Sequence, residues 1–528
     1  MYTIPIEVWF WYNIKTIINR RFAFCLFCSR RTLAAREKLL RRFTFSRCLL
    51  FPKALSLFPP VMNRYITTIV FALFVSLTSA LFADEAIQVV NFTNGTEIDY
   101  PVALLRGRLS DESATEIVCT NLSSQKASRQ IHGDAWKGQF KVLAELVPGE
   151  NELELTSGDH KTTLKLNYKK NSNPLVVRMI YMTDSTGNTD FQTPYENDPQ
   201  NFKGKLDAAL KLMQCFTAET MNDAGLGRKT FNLELDDNGD VIVHVFKGKQ
   251  TAEEYSSGSD QEWYSKVYQE VTPHFPWYNG KNLIIPAYTR FDPETKKVKC
   301  HTALGGGCQA LFGSGCMYTW PDSLDGVVKA FTDSTPVDKD HFHDDTAFRS
   351  VYWAAASTTI GAALHELGHT FGLPHSNQPR DIMTRGIDHL NRFFVMREAP
   401  SRFNRNWREN MDDQAANWSL ISAAALNVCP FFQDEAPAEN QGNVKLQIVD
   451  DGKAVEIEAE NGIAYFGVMS GGDRQFFVAP QPGQELPKQL RFSVQDLKDN
   501  VKNFKGDLEL HAIDRFGKTR SIGFEINE

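Results

Sequence analysis

At 528 residues the chain is too long for one ordinary hydrophobic core, and it predicts about three domains. Its 42% apolar and 23% charged residues are ordinary for soluble protein and argue against wholesale disorder and against a polytopic membrane protein. Residues 1–83 hold 12 Lys or Arg and two acids, so the remainder carries 45 basic and 62 acidic side chains, which argues against nucleic acid as a partner.

The beginning of the chain predicts a targeting region. MNRYITTIVFALFVSLTSALFADEA, which starts at Met62, combines a short positive start, an apolar run and small residues, and this layout predicts a signal peptide over residues 62–83. The alternative is an uncleaved anchor, because an apolar run of about 19 residues is nearly long enough to span a bilayer. Cleavage would leave a secreted or extracytoplasmic chain, in the periplasm or at the cell surface, without a stable membrane span.

Residues 1–61 are rich in Arg, Phe and Leu and nearly free of acids. They are expected to be an upstream extension that is not part of the fold, with a long signal region or an organelle-type presequence as the alternative.

Two strand-rich regions flank the middle of the chain. Residues 84–172 contain short alternating runs such as PVALLRGRL, QFKVLAELV and NELELTS, separated by turn residues, which predicts an all-β sandwich-like domain. Residues 437–528 repeat this texture in NVKLQIVD, AVEIEAE and LRFSVQ and predict a second one.

The residues between them, 173–432, predict a domain with both strands and helices. The apolar strand LVVRMIYM leads into KGKLDAALKLMQCFTAETMND, whose apolar residues recur at helical spacing. FNLELDDNGDVIVHVF predicts a hairpin that turns at Asn238 and Gly239. Its carboxylates could bind calcium, but the spacing lacks the bidentate acid of a calcium loop, so calcium stays an unsupported alternative.

Six cysteines lie outside the first 83 residues, and an even number in an exported chain permits disulfides in any of fifteen pairings. Cys308 and Cys316, eight residues apart in GGGCQALFGSGC, are the first candidates for a bridge.

The chemistry of the chain concentrates in HELGHTFGLPH, residues 365–375. The surrounding SVYWAAASTTIGAALHELGHTFGL predicts a buried helix, and His365 and His369 lie four residues apart, so they share one face of it. Neutral imidazole is a preferred zinc donor. Both rings can therefore reach one metal ion.

The third histidine depends on the end of this helix. Gly372 suits the left-handed residue just beyond a helix end, and Pro374 cannot continue the helix. If the helix ran on, His375 would point away from the shared face. The break is expected to bring His375 back to the metal.

Three histidines leave a fourth, open position on Zn²⁺, which is the pattern of a catalytic site. Glu366 directly follows the first ligand and can act as general base toward a zinc-activated water. Hydrolysis of peptide bonds is the natural result of this arrangement. The full motif is far more specific than a bare H-E-x-x-H.

The continuation of this motif resembles the metzincin clan of zinc metallopeptidases, whose signature H-E-x-x-H-x-x-G-x-x-H is followed by a methionine turn. HELGHTFGLPHS continues as NQPRDIMTRG, which puts Met383 eight residues after His375, the spacing of matrixin-like members. The resemblance implies that Met383 forms the hydrophobic base beneath the metal. It also implies a catalytic domain with a twisted mixed sheet and an active-site helix, followed by a lower subdomain after the third histidine.

Together with the zinc motif, FTAETMND and GGGCQALFGSGCMYTWP are similar to a little-characterised family of zinc metallopeptidases of fungi and bacteria. Two features depart from the clan. Arg385 stands where some metzincins have a tyrosine ligand, and no matrixin-type cysteine-switch segment is recognisable. Neither a tyrosine ligand nor latency by a cysteine is therefore expected.

Other ionisable groups receive simpler interpretations. HFHDD, residues 341–345, predicts a solvated loop near the active-site entrance, with a second metal site as the alternative. Asp381 and His389 are expected to support the lower subdomain, and the sequence suggests no chemical role for either.

The predicted fold class is therefore multidomain α+β, with a metzincin-like catalytic domain between two all-β sandwich-like domains. The predicted function is a secreted zinc endopeptidase with one catalytic ion and a protein or peptide as substrate. The alternatives are a zinc amidase acting on cell-wall or glycan-linked amides, and a surface-binding or adhesion protein with a vestigial metal site. Substrate preference and oligomeric state are not predicted.

Overall fold

The computed structural model describes residues 85–525, apart from 125–129, 277, 411, 435–441, 481–482 and 502–506. The predicted extension and signal peptide lie outside these residues. In the part that is described, no helix is both long and apolar enough to cross a bilayer.

The N-terminal part of the described chain forms one sheet of eight strands. The strands are β1 (Ile87–Val89), β2 (Thr96–Ile98), β3 (Val102–Leu109), β4 (Glu116–Asn121), β5 (Gln130–Trp136), β6 (Gln139–Glu145), β7 (Gly149–Ser157) and β8 (His160–Tyr168). Their order in the sheet is β1-β3-β6-β5-β4-β7-β8-β2. Strand β1 also contacts β7 and β8, so the sheet curls back on itself. The runs that predicted a sandwich thus belong to one curled sheet, because β4 pairs with β5 on one edge and with β7 on the other.

A second sheet lies in the middle of the chain. The strands of this region are β9 (Val176–Thr183), β10 (Asn232–Leu233), β11 (Val243–Lys247), β12 (Gly280–Pro286), β13 (Arg290–Asp292), β14 (Lys297–Lys299), β15 (Ala303–Gly306) and β16 (Gln309–Phe312). In the sheet, β9, β12 and β16 run parallel, and β15 runs antiparallel to β16 at one edge. Strands β13 and β14 form a separate hairpin.

The predicted hairpin around Asn238 and Gly239 forms a turn, and Gly239 has a φ of +77°. Its two arms, β10 and β11, both pair with β9 in parallel and at successive positions along it. The turn therefore projects from the edge of the sheet, between two strands that both pair with β9.

Eight α-helices are described, and two of them, α1 and α5, are long and almost wholly buried. They are α1 (Phe202–Asp223), α2 (Ala252–Ser256), α3 (Asp260–Val271), α4 (Val327–Ala330), α5 (Tyr352–Thr370), α6 (Asn391–Phe394), α7 (Leu420–Leu426) and α8 (Val494–Asn500). Helix α1 contacts β3 of the first sheet, β11 of the second and α5. Single 3-10 turns cover Asp198–Asn201, Met317–Thr319, Arg385–His389, Asp412–Gln414 and Pro430–Phe432.

Burial of α1 brings a charged side chain into the interior. The Lys211 ammonium is fully buried and lies 2.9 Å from carboxylate oxygens of both Glu145 and Asp207. Burial alone would lower the pKa of Lys211, but these carboxylates raise it. The ion-paired lysine links the N-terminal sheet to the helix.

The C-terminal residues form two sheets that pack face to face. After the short strands β17 (His375–Ser376), β18 (Arg397–Glu398) and β19 (Arg408–Glu409) come β20 (Val444–Val449), β21 (Ala454–Ala459), β22 (Ile463–Ser470), β23 (Asp473–Val478), β24 (Gln489–Ser493), β25 (Asp507–Asp514) and β26 (Thr519–Glu525). One sheet has the order β20-β21-β24 and the other β17-β23-β22-β25-β26. Buried side chains such as Val455, Ile457, Phe466 and Val468 fill the space between them.

One apolar core runs from the N-terminal sheet through α1 and the middle sheet to α5 and α7. All described residues belong to one compact unit that begins at Glu85. The fold is thus mixed α/β and rich in sheet. The boundaries expected near residues 172 and 437 stay predictions.

The six cysteines of the described chain are all free, so the expected Cys308–Cys316 bridge is wrong. Cys308 lies in the turn between β15 and β16, whereas the Cys316 thiol donates to the backbone oxygen of His343 at 3.4 Å. Burial raises the pKa of Cys119 to about 12 and that of Cys429 to about 11, which keeps both thiols protonated near neutral pH.

Candidate metal centre

Helix α5 carries the first half of the candidate site. It packs against β12, β15 and β16 of the middle sheet on one side and against the turn Arg385–His389 on the other. Its Ala-rich composition suits a helix that is buried on nearly all sides. His365 and His369 are half-buried near its end, and Glu366 is only 5% exposed.

A glycine ends this helix. Gly372 has a φ of +85°, its N–H donates to the carbonyl of His369 at 3.0 Å, and the N–H of Leu373 donates to the carbonyl of Gly368 at 3.1 Å. This pair of bonds is the Schellman motif, which satisfies the last carbonyls of a helix and reverses the chain. The reversal carries the chain back toward the two helix histidines.

The reversed chain brings His375 to the other two histidines. Ring centroids are 4.8 Å apart for His365 and His369, 5.2 Å for His365 and His375, and 5.0 Å for His369 and His375. Each ring offers a nitrogen within 4.8 Å of the others. Among the described residues these three form the single group of three side chains that could hold a metal ion.

Backbone carbonyls orient two of the rings. Nδ1 of His365 donates to the carbonyl of Ile382, and Nδ1 of His369 donates to that of Leu373, both at 2.7 Å. These bonds select the tautomer that leaves Nε2 free to accept a metal. Burial lowers the pKa of His365 to about 4 and also lowers that of His369, so both rings are neutral near pH 7.

Glu366 lies beside this cluster in an apolar environment. Burial raises the pKa of its carboxyl to about 8. The backbone of β15 lies close against the backbone of Glu366, because a Cβ added to Gly305 would lie 2.1 Å from the carbonyl oxygen of Glu366. Only glycine permits this approach.

Met383 packs against α5 at Gly368 and is fully buried. A Cβ added to Gly368 would lie 2.6 Å from the Met383 sulfur. Gly368 therefore has a packing role that the motif alone did not reveal.

Asp381 holds the chain segment around Met383. One carboxylate oxygen accepts the Met383 N–H at 3.0 Å, and the other accepts the hydroxyls of Ser419 and Ser422. Its backbone carbonyl also accepts the N–H of Thr384 at 2.9 Å. A fully buried carboxylate with several donors organises its surroundings, and the sequence offered no signal for this because the two serines lie about forty residues away.

The other predicted groups lie outside the histidine cluster. In the HFHDD loop, the His341 ring bonds Asp338 and Asp344 pairs with Lys339. Arg385 forms a bidentate pair with Asp388. His389 accepts a hydrogen bond from the Arg349 guanidinium at 3.2 Å.

The donor set fits one zinc ion. Three converging imidazoles, two of them with oriented Nε2 atoms, are a common zinc-binding set, and the exposed ring of His375 leaves the cluster open to solvent on one side. Such a centre can take a water or a carbonyl group and hydrolyse amide bonds.

Comparison with known proteins agrees with this chemistry. Residues 86–465 match the model of a family described as "Putative peptidase family" (Metallopep). A Schizosaccharomyces pombe protein named "Putative zinc metalloproteinase" is 31% identical over 283 residues, which are 49% of this chain and 45% of that protein. A Saccharomyces cerevisiae protein of the same name is 26% identical over 358 residues, 61% of this chain and 51% of the yeast protein.

The chain spans about half the length of these curated relatives. Among solved structures, catalytically inactive OgpA from Akkermansia muciniphila in complex with an O-glycopeptide substrate aligns with 67% of this chain and 92% of its own, at 15% identity and a TM-score of 0.42. A likeness at that TM-score carries no conclusion about activity. Because the family model matches most of the chain, the protein belongs to this peptidase family, and the names of its relatives support a zinc metallopeptidase.

Proposed function

We propose that the protein is a secreted zinc-dependent endopeptidase of the metzincin type. His365, His369 and His375 would hold one zinc ion, and Glu366 would be the general base. The observation that carries the proposal is the convergence of three imidazoles beside a buried carboxylate. Met383 beneath the helix supports the metzincin assignment, and the signal-like segment at 62–83 supports secretion.

The protein's own contribution is proton transfer and orientation. When bound, zinc would polarise the scissile carbonyl and acidify a water. Glu366 takes one proton from the attacking water and returns it to the nitrogen of the leaving amine. Its carboxyl must be ionised to do so, and a cation in the neighbouring cluster favours ionisation against the effect of burial.

A free sheet edge favours a peptide substrate. Strand β15 is an edge strand beside α5. In an antiparallel pair, residues that bond to the partner strand alternate with residues whose backbone N–H and C=O groups point away from it. The carbonyl of Thr302 accepts the N–H of Gly313, so the backbone groups of Ala303 and Gly305 point away from β16. An extended peptide could add to this edge as a further strand, next to Glu366. A glycan-linked amide would make no such backbone bonds.

The test combines metal analysis with cleavage of an unbiased peptide library by the full chain. Wild type is expected to retain about one zinc per chain and to cleave peptides. Glu366→Gln is expected to keep the zinc and to lose activity by about 10²-fold or more, because it cannot accept the proton. Glu196→Gln, an exposed site, is the matched control.

The same assay separates the alternatives. Release of amines from peptidoglycan or glycan-linked amides, without peptide cleavage, would replace the endopeptidase with an amidase. If zinc-loaded protein hydrolysed neither class of substrate and Glu366→Gln behaved as wild type, a binding protein with a vestigial site would be the better description.

A further inference from the structure

The third histidine of the cluster belongs to two parts of the molecule. His375 follows the helix reversal, and it is also the first residue of β17, which pairs in parallel with β23. In this register His375 lies opposite Asp473 and Ser376 lies opposite Arg474. Apart from β17, the five-stranded sheet is built from residues 463–525, part of the C-terminal module, which we define as residues 442–525.

Side chains reinforce this pairing immediately after His375. The Asn377 amide donates to the Gln475 amide oxygen at 2.8 Å. Ser376 bonds the chain segment beneath the cluster, because its N–H donates to the carbonyl of Met383 at 3.1 Å. The two residues after the histidine thus connect β23 to the segment beneath the cluster.

Arg474 is the centre of this contact on the C-terminal module. It is 2% exposed, its guanidinium donates to the carbonyl of Ile421 at 3.0 Å, and it lies 5.4 Å from the ring centroid of Tyr465. Burial lowers the pKa of Arg474, whereas Tyr465 and the negative Asp381 act in the opposite direction. The residue after Ile421 is Ser422, whose hydroxyl donates to Asp381, so Arg474 is linked through α7 to the network that holds Met383.

The docking is closely packed. Tyr465 and Ile513 of the C-terminal module are buried within the apolar core that contains α5. At the β25–β26 turn, a Cβ added to Gly517 would lie 2.6 Å from the ring of Pro430. Gly517 has a φ of +79°, so glycine is required there for conformation as well as space.

The three histidines differ in what fixes them. His365 and His369 stand on a helix, and each ring is held by a backbone carbonyl. His375 is exposed and stands beyond the reversal, where β-pairing with β23 fixes its backbone. Metal sites depend on the groups that orient their ligands almost as much as on the ligands.

We infer that the C-terminal module completes the metal centre: β23 fixes His375 through β17, and Arg474 is a positioning residue for the zinc site. Zinc binding and docking of the module are then coupled, and by thermodynamic linkage each strengthens the other. This inference rests on the proposed zinc site. Strand β23 lies beyond residue 465, where the family match ends, so the family match does not include this contact.

The coupling can be measured from the metal side. In the full chain, the zinc dissociation constant is determined by competition with a chromophoric chelator. Arg474→Gln is expected to weaken zinc binding by about 10- to 100-fold, the usual effect of losing a group that orients a ligand. Arg491→Gln, which alters an exposed arginine of the same module, should leave it unchanged.

The coupling between zinc binding and docking can also be measured in the C-terminal module, by hydrogen exchange of the backbone amides of β22 and β23 with and without zinc. Zinc is expected to slow exchange in β23 of wild type and to have less effect in Arg474→Gln. Because Arg474→Gln removes a buried side chain, Gln475→Ala and Asn377→Ala provide a second test at half-buried positions. Each should weaken zinc binding a few-fold, and the double variant no more than the stronger single one, since they share one hydrogen bond.

The outcomes distinguish the two proposals. If wild type binds no zinc, the proposed metal centre fails and this inference falls with it. If wild type binds zinc, but Gln475→Ala and Asn377→Ala bind it equally well and zinc does not slow exchange in β23, the proposed function stands and the coupling is overturned. If Arg474→Gln does not fold, the variants Gln475→Ala and Asn377→Ala and the hydrogen exchange of wild type still test the coupling.

Discussion

At the scale of single residues, the candidate site depends on glycines as much as on histidines. Gly361 and Gly368 lie seven residues apart on one face of α5. A Cβ on Gly361 would lie 2.6 Å from the Ile387 carbonyl oxygen, and a Cβ on Gly368 would lie 2.6 Å from the Met383 sulfur, so both glycines face the chain segment 382–387. The helix can therefore lie directly on that segment. This close approach lets the carbonyl of Ile382 reach the His365 ring.

Asp381 offers the first residue-scale prediction. Asp381→Asn replaces an acceptor oxygen with a donor in a fully buried network, so one of its partners loses its bond. We expect the free energy of unfolding to fall by about 1–3 kcal/mol and zinc to bind more weakly, because the segment under the cluster loosens. Urea unfolding and chelator competition measure the two effects.

Asp237→Asn is the matched control for this change, since Asp237 is exposed. Equal stability and equal zinc affinity in Asp381→Asn and Asp237→Asn would show that the carboxylate does not organise the site.

At the scale of secondary-structure elements, the contact between β15 and α5 sets the geometry around Glu366. The edge strand can approach the helix backbone only because residue 305 has no side chain. Gly306 is adjacent in the same strand, and a Cβ there would meet nothing within 4 Å. The two glycines provide a matched pair for testing the contact.

Gly305→Ala is expected to push β15 away from α5 and to lower the free energy of unfolding by about 1–3 kcal/mol, the usual cost of overpacking. Peptidase activity should fall further than stability suggests, because the displaced edge no longer lies beside Glu366. Gly306→Ala should behave nearly as wild type in both thermal unfolding and peptide cleavage. If both variants lost activity alike, close packing at residue 305 would not be the cause.

The sequence predicted the local features of the site and missed the long-range ones. The spacing of His365 and His369 and the helix end at Gly372 follow from helical periodicity and glycine chemistry, which act over a few residues. Asp381 and Arg474 act through partners about forty to fifty residues away, so their roles appear only after folding. The alternation of apolar and polar residues likewise predicted which side chains of the strands face a core. It did not predict that β4 would pair with both β5 and β7 and so join the strands into one curled sheet.

At the scale of the whole molecule, burial of neutral histidines makes the fold sensitive to acid. Burial lowers the pKa of His301 and of His389 to about 3, and that of His511 to about 4. In the unfolded chain each would titrate near 6.5. Below that pH the unfolded state gains protons that the folded state does not bind, so stability declines.

His511 allows this effect to be tested in the C-terminal module, where it packs against Tyr465 and where the positive charge of Arg474 adds to the effect of burial. Its contribution is fully present above pH 6.5 and is lost as the pH falls toward about 4, by at most about 1.4 kcal/mol per pH unit. We therefore expect the free energy of unfolding of His511→Gln to depend less steeply on pH than that of wild type over this range. Urea unfolding at several pH values, with a chelator present so that zinc does not contribute, measures the slope. His160→Gln, at an exposed position, should keep the wild-type slope, and an unchanged slope in His511→Gln would mean that this histidine is not held neutral by the fold.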